Sequence, residues 1–329
     1  MTQNNKQVSG EDSLIARYFK PLATDPGAFG LVDDAAILKA RGEDIVVTTD
    51  AVVEGVHYLP DDPPGTIARK ALRVNLSDLA AKGAVPAGFV LTLALRKAED
   101  PWLRPFADAL GEDAKSFACP LLGGDTVSTP GPQMISITAF GRVPAGRMVG
   151  RSGAKVGDRI MVTGTIGDAA LGLDILKRGA VGTTLAGDQA ARDELIDRYR
   201  VPRPRNALAE AVRAYASAAM DVSDGLAGDL AKLCAASGVS AVIEMARVPI
   251  SPAAMRAAAA MEKLVAGGDD YEILCAVPEA RCAGLIEAAS RVGVPLADIG
   301  TVTAGRERPR FVDAKGSEIA LSRLSYSHF

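Results

Sequence analysis

Acidic residues recur in short islands beside apolar runs or glycines across most of this chain: Val32-Asp33-Asp34, Thr48-Thr49-Asp50, Ser77-Asp78, Gly123-Gly124-Asp125, Asp221-Val222-Ser223-Asp224 and Gly267-Gly268-Asp269-Asp270. Each taken alone reads as a turn or a helix cap, the ordinary work of Asp and Gly. If several converge the physics changes, because two carboxylates about 4 Å apart repel by roughly 4 kcal/mol at an effective dielectric near 20. Such a cluster protonates or recruits cations. Oxygen ligands in this number suggest several magnesium ions and a polyphosphate.

The residue types that are scarce narrow the choice of cation. Only His57 and His328 are present, and Cys119, Cys234, Cys275 and Cys282 form no CxxC pair, so zinc has almost no ligands to use. No segment has the alternating acidic spacing, ending in a glutamate at the twelfth loop position, that an EF-hand needs for calcium. Magnesium is the best candidate, since it prefers oxygens and shares a few carboxylates with substrate phosphates and water.

The elements that must position these residues are legible in part. Ile45-Val46-Val47-Thr48-Thr49 predicts a strand that delivers Asp50 at its carboxyl end, where ligand crevices form in layered architectures. Thr66 reads as the cap of a helix over 67–82, with Gly83 as its stop. On that helix Ile67, Ala71 and Val74 face inward, while Asn75, Asp78 and Lys82 form a second stripe that by itself reads as a solvated polar face. Strands are expected over 89–95 and 134–140, with a helix over about 102–117 between them. Cys119-Pro120-Leu121-Leu122 then leads into Gly123-Gly124-Asp125, either a bare turn or one whose backbone comes close to a ligand.

A glycine-bearing polar stretch, Arg151 to Asp158, predicts a domain boundary, giving domains 1–150 and 151–329. A strand over 159–163 follows, and Gly164-Thr165-Ile166-Gly167 opens onto a helix from Asp168. It is not a P-loop, since the glycines are too close and the Lys-Ser/Thr pair is absent. Further helices are expected up to Arg200, up to about Ser217, over 226–236 and across the alanine-rich 253–260. Ser223 or Asp224 reads as the cap of the helix from Leu226, a helix start that can also hold an anion or a hydrated magnesium ion. A strand over 271–277 follows Gly267-Gly268-Asp269-Asp270.

Composition bounds the rest. With 329 residues and 48% hydrophobic content the chain can bury a substantial core. A net charge of −3 gives no electrostatic footprint for nucleic acid. No apolar run approaches the roughly 20 residues that span a bilayer, so no membrane partner is expected. The polar opening, Met1 to Gly10, lacks the apolar core of a signal peptide and reads as a disordered lead, and the four unpatterned cysteines fit packing residues in a reducing cytosol.

In their order, these motifs resemble the thiamine-monophosphate kinase family of the aminoimidazole-ribonucleotide synthetase superfamily. The resemblance runs from Gly10-Glu11-Asp12-Ser13-Leu14-Ile15 to Ser327-His328-Phe329 and includes Thr48-Thr49-Asp50, Glu54-Gly55-Val56-His57, Val74-Asn75-Leu76-Ser77-Asp78-Leu79-Ala80, Leu122-Gly123-Gly124-Asp125-Thr126, Arg151-Ser152-Gly153-Ala154, Asp221-Val222-Ser223-Asp224-Gly225-Leu226 and Gly267-Gly268-Asp269-Asp270-Tyr271-Glu272. It implies transfer of the γ-phosphoryl group of ATP to thiamine monophosphate, the last step of thiamine diphosphate biosynthesis. It also implies an α+β fold of two domains, each a mostly antiparallel mixed sheet flanked by helices. The first domain would bind ATP and magnesium and make a homodimer, the second would complete the ATP and thiamine-monophosphate sites, and the enzyme would be cytoplasmic. Carried over by position, Asp33, Thr48, Thr49, Asp50, Asp78, Asp125, Asp221 and Asp224 would bind several Mg2+ ions. Gly124, Asp125, Arg151 and Ser223 would contact ATP, and His57, Asp269 and Tyr326 thiamine monophosphate.

This chemistry needs no general base, because the acceptor oxygen is already a phosphate anion at neutral pH, leaving positioning and electrostatics as the sources of rate. Two departures from the family pattern stand out. Val32 replaces the usual glycine of Gly-Asp-Asp, which predicts a reshaped first loop, and Asp269 replaces a glutamate, shortening its reach by one methylene. Neither removes a carboxylate, so activity is expected to survive. Two rival superfamily activities fit less well. Selenophosphate synthetases typically carry a reactive cysteine or selenocysteine near the amino terminus, where this chain has no cysteine before Cys119, and the purine-pathway synthetases typically have Gly-Val-Gly-Thr-Lys where Glu54-Gly55-Val56-His57-Tyr58 stands here. A non-catalytic nucleotide- or thiamine-sensing protein on the same scaffold would be expected to lose metal carboxylates, and these are intact.

Overall fold

The computed structural model of the chain describes residues 14–26, 28, 40 and 42–325. Asp33 and Tyr326, together with Val32, Asp34 and His328, lie outside the described residues. Contacts divide the chain into two compact units, Met1–Arg41, Val47–Asn75 and Pro86–Gly141 in one, and Gly42–Val46, Leu76–Val85 and Arg142–Phe329 in the other.

The first unit holds most of one four-stranded sheet, β1 (Glu43–Val53), β2 (Val85–Leu95), β3 (Leu121–Ser128) and β4 (Met134–Pro144), in the order β1-β4-β2-β3, with residues 43–46, 85 and 142–144 counted in the second unit. β4 alternates half-buried and buried positions along its length, the period-2 signature of a strand with one face on a core. β1 runs four residues beyond the expected strand, because Ala51-Val52-Val53 continues the β-favouring run. Asp50 therefore sits inside the strand rather than at its carboxyl end. β2 and β3 pair in parallel, Leu91 opposite Gly124 and Thr92 opposite Asp125. Gly123-Gly124-Asp125 is thus strand rather than turn. The glycine at 124 is required by sheet packing, since a Cβ there would stand 1.9 Å from the Leu91 carbonyl oxygen.

Among the described residues two α-helices lie in this part of the chain, α1 (Pro64–Ala81), whose residues from Leu76 on belong to the second unit, and α2 (Asp100–Ser116). α1 starts with proline at its first position, where the missing N–H has no partner to lose. Thr66 lies inside the helix and its hydroxyl donates to the Pro63 carbonyl at 2.8 Å, so it is not the cap. Gly83 does stop the helix, at φ +70°. Ile67, Ala71 and Val74 are buried as expected. The second stripe is not a solvated face: Asn75 is fully buried, and Lys82 donates to the Ala219 carbonyl at 2.8 Å.

The second unit holds β5 (Arg159–Thr163), β6 (Ala218–Asp221), β7 (Ser240–Glu244), β8 (Ile273–Val277), β9 (Leu296–Thr303) and β10 (Arg310–Val312), in the order β10-β7-β9-β5-β8-β6. Only the β10–β7 pairing is parallel; the other four are antiparallel. Its helices are α3 (Asp168–Leu176), α4 (Ala180–Thr184), α5 (Gln189–Arg200), α6 (Ala209–Tyr215), α7 (Leu226–Ser237), α8 (Pro252–Arg256), α9 (Met261–Val265) and α10 (Glu279–Arg291). Strand alternation sends β8 residues to two cores. Leu274 and Ala276 pack with Leu226, Leu230 and Leu233 of α7, while Ile273, Cys275 and Val277 pack with Val212 of α6 and Leu285 of α10. The sheet is covered on both faces, and the architecture is the expected α+β, with a mixed sheet flanked by helices in each unit. The alanine-rich helix expected over 253–260 is confined to α8, which Ser251 caps by accepting from Ala254 N–H at 3.0 Å; Ala258 then turns to φ +50°.

Candidate functional site

In the second unit β6 ends on Asp221, 7% exposed. One of its carboxylate oxygens accepts from the Ser77 hydroxyl at 2.8 Å. Asp78 follows on α1, half-buried, and Lys82 stands one turn further on. Burial lowers the Lys82 pKa, the charge of Arg151 adds to that effect, and the carboxylates of Asp221 and Asp78 oppose it. Asp78, Asp221 and Arg151, drawn from a helix, a strand end and an exposed loop, thus all act electrostatically on one ammonium. Lys82 was not singled out from the sequence as functional; its only signal was its place on the stripe with Asn75 and Asp78.

Ser223 and Asp224 form the turn between β6 and α7. Neither caps the helix as expected. The N-cap position is Gly225, at φ +120°. That position has no side-chain cap; the fully buried Asp229 carboxylate, from the first turn of the helix, instead braces the preceding turn, accepting from Ser223 N–H at 3.0 Å and Asp224 N–H at 2.9 Å. Lys232 closes the arrangement, donating to Asp229 at 2.8 Å and to Asp224 at 2.5 Å. Burial raises the Asp229 pKa despite the opposing Lys232 ammonium.

The Gly267–Glu272 segment is laced to this turn through its backbone. Asp269 N–H donates to Ser223 O and Tyr271 N–H to Val222 O, both at 2.8 Å, and Val222 N–H donates to Glu272 O at 2.8 Å. The fit needs glycine at 268, where a Cβ would meet the Ser223 carbonyl oxygen at 2.6 Å. Asp269 and Tyr271 both take positive φ, +71° and +51°, costly for residues with side chains. The Tyr271 hydroxyl reaches the Asp269 carboxylate at 3.2 Å. Asp221, Ser223, Asp224 and Asp269 are therefore brought together.

In the first unit Thr48, Thr49 and Asp50 lie on β1, and Gly124 and Asp125 on β3. The Thr49 hydroxyl donates to the Ile137 carbonyl at 3.2 Å and accepts from the Thr138 hydroxyl at 3.0 Å. Asp50 and Asp125 are both exposed but stand on opposite edges of the sheet, three inter-strand steps of about 4.8 Å apart. His57, in the turn after β1, accepts from Val53 N–H at Nδ1, 3.1 Å away, which leaves Nε2 as the N–H of the neutral ring. Its carbonyl accepts from the buried Lys70 at 2.8 Å.

Among the described residues no group of three or more His, Cys, Asp or Glu side chains forms a metal cage. The donor set still fits magnesium, which takes hard oxygens, usually binds one or two carboxylates, and fills its octahedron with substrate phosphate and water.

Residues 32–143 match the family described as AIR synthase related protein, N-terminal domain, and residues 155–312 match AIR synthase related protein, C-terminal domain. The chain is 42% identical to the thiamine-monophosphate kinase of Caulobacter vibrioides over 324 residues, 95% of this chain and 89% of that one. Among solved structures it is similar to the thiamine-monophosphate kinase of Stenotrophomonas maltophilia K279a, with a TM-score of 0.81 and 36% identity over 94% of this chain and 96% of that one. It is also similar to AaThiL complexed with AMPPCP and TMP, with a TM-score of 0.76 and 28% identity over 92% of this chain and 97% of that one. The chain belongs to the AIR synthase related family, within its thiamine-monophosphate kinases.

Proposed function

We propose that the chain transfers the γ-phosphoryl group of ATP to the phosphate of thiamine monophosphate, giving thiamine diphosphate and ADP in the last step of thiamine diphosphate biosynthesis. The observation that carries this reading is the 42% identity to a thiamine-monophosphate kinase along 95% of the chain. The similar structure holding AMPPCP, an ATP analogue, together with TMP supports it. The transfer is direct and in line, from donor to acceptor without a covalent enzyme intermediate.

Magnesium ions, when bound, supply the charge that offsets repulsion between two phosphate-bearing reactants. Asp33, Thr48, Thr49, Asp50, Asp78, Asp125, Asp221 and Asp224 would hold them. Gly124, Asp125, Arg151 and Ser223 contact ATP, Arg151 adding a fixed cation near the transferred group. His57, Asp269 and Tyr326 contact thiamine monophosphate, with the His57 Nδ1 engaged by Val53 N–H. No residue acts as general base, since the acceptor phosphate is already ionised.

Residues 1–150 carry ATP and magnesium binding and the homodimer contact, and residues 151–329 complete the ATP and thiamine-monophosphate sites. Exposed apolar side chains on both edge strands of the first sheet, Val47 and Val127, support the dimer contact. The cytoplasm, where ATP is made and used, is the location. No helix among the described residues is long and apolar enough to cross a membrane. Chromatographic detection of thiamine diphosphate from purified chain, ATP, magnesium and thiamine monophosphate tests the reading.

A further inference from the structure

We propose that Lys232 is a built-in counter-ion for Asp224, holding that carboxylate while no divalent cation is bound and thereby setting the cation affinity of the Ser223–Asp224 turn. The inference rests on the reading of Asp224 as a metal-binding residue and goes beyond it, to a positioning residue that the acidic motifs do not contain.

The geometry carries it. One ammonium bridges two carboxylates, 2.5 Å from Asp224 and 2.8 Å from Asp229. The two anions are not equivalent. Asp229 has no exposed side-chain surface and is also held by the N–H groups of Ser223 and Asp224, whereas the Asp224 side chain is 35% exposed. Asp229 is thus the fixed anchor of Lys232, and Asp224 is the partner that can be given up.

A neutral donor, such as the Ser77 hydroxyl on Asp221, can share a carboxylate with an incoming cation. An ammonium at 2.5 Å cannot do so without direct charge repulsion. Cation binding at Asp224 therefore has to loosen the Lys232 contact, and the strength of that contact is subtracted from cation affinity. Anchored on Asp229, Lys232 stays beside the turn after release, as a positive group for a phosphate arriving with the cation.

The test is titration of the full, nucleotide-free chain with Mn2+, an oxygen-preferring stand-in for magnesium, with free Mn2+ read by electron paramagnetic resonance. Lys232→Gln keeps a donor for Asp229 but removes the charge, and Lys232→Met is the second uncharged variant should the first fail to fold. Either is expected to tighten Mn2+ binding by about twofold to fivefold, the range that an ion pair of this exposure carries. Lys232→Arg, which keeps the charge, is expected to bind near the wild-type affinity, and Asp224→Asn to weaken binding. Wild-type or weaker affinity in the uncharged variants, with Asp224→Asn still weakened, overturns the role of Lys232 alone. Unchanged binding in Asp224→Asn overturns the metal reading of Asp224 and the proposal with it.

Discussion

Both carboxylate oxygens of Asp270 accept from the backbone N–H of Gly167, at 2.9 Å each. This contact ties the start of α3 to the segment that carries Asp269. Arg198 of α5 donates to the Asp270 carbonyl at 3.3 Å, so the residue is held at both its side chain and its backbone. On either side Asp269 and Tyr271 keep their positive φ values, a conformation that persists only where surrounding contacts over-determine it. Burial raises the Asp270 acid well above its ordinary value; the Gly167 N–H and Arg198 oppose that shift, and the nearby carboxylates of Asp168 and Glu272 reinforce it.

The sign of the resulting pH dependence follows from proton binding. The folded chain holds the Asp270 proton more tightly than the unfolded chain, so stability from this group is fully present below about pH 3.8 and is lost as pH rises through the raised folded value. Asp270→Asn removes the titration. The melting-temperature advantage of wild type over the variant is expected to shrink as pH rises from 4 (about the ordinary carboxylate value), measured by thermal denaturation across a pH series. Parallel curves for the two proteins contradict this.

Adjacent glycines on β3 are predicted to behave differently. A Cβ at Gly124 would stand 1.9 Å from the Leu91 carbonyl oxygen, while one at Gly123 meets nothing within 4 Å. Gly124→Ala is expected to destabilise by at least the roughly 1–3 kcal/mol typical of overpacking, and Gly123→Ala to stay within about 0.5 kcal/mol of wild type. Denaturant melts of both variants check the contrast.

Glu272 is fully buried and accepts from Arg198 at 2.8 Å, Arg205 at 2.6 and 2.5 Å, and the Thr163 hydroxyl at 2.7 Å. Glu272→Ala leaves the two guanidinium groups facing each other without their anion. A loss of about 3–5 kcal/mol is expected, the usual result of breaking a buried ion pair from one side. Equilibrium unfolding measures it directly.

Asp50→Asn and Asp125→Asn are predicted to separate catalysis from stability. Both side chains belong to exposed residues, so melting should change little. Phosphoryl transfer should fall by most of its rate, because each change removes charge from the metal-binding set without removing core. Native turnover in both variants would contradict the metal assignment.

The parts of the fold legible in the sequence were those with strong local signals. β5 coincides with the expected 159–163, and α7 with the expected helix from Leu226, because an apolar run and a glycine-bounded helix declare themselves locally. Short strands such as β6 and β10 went unrecognised, since they are defined by partners far away in sequence. The same limit applies to the site. The Asp221, Asp224 and Asp269 motifs were visible as text, but the backbone lacing that joins them, the reach of Asp229 back to the turn and the bridging by Lys232 depend on tertiary contacts. Gly124 shows the converse: its motif was recognised, yet what demands glycine there is the neighbouring strand.

The most direct test of the account is ADP release by the purified chain with ATP and magnesium, compared across thiamine monophosphate, free thiamine and no acceptor, with thiamine diphosphate followed by chromatography. The account predicts ADP and thiamine diphosphate in equal amounts with thiamine monophosphate present, and only background ADP without an acceptor. ADP release without thiamine diphosphate, or no turnover with thiamine monophosphate, would contradict it.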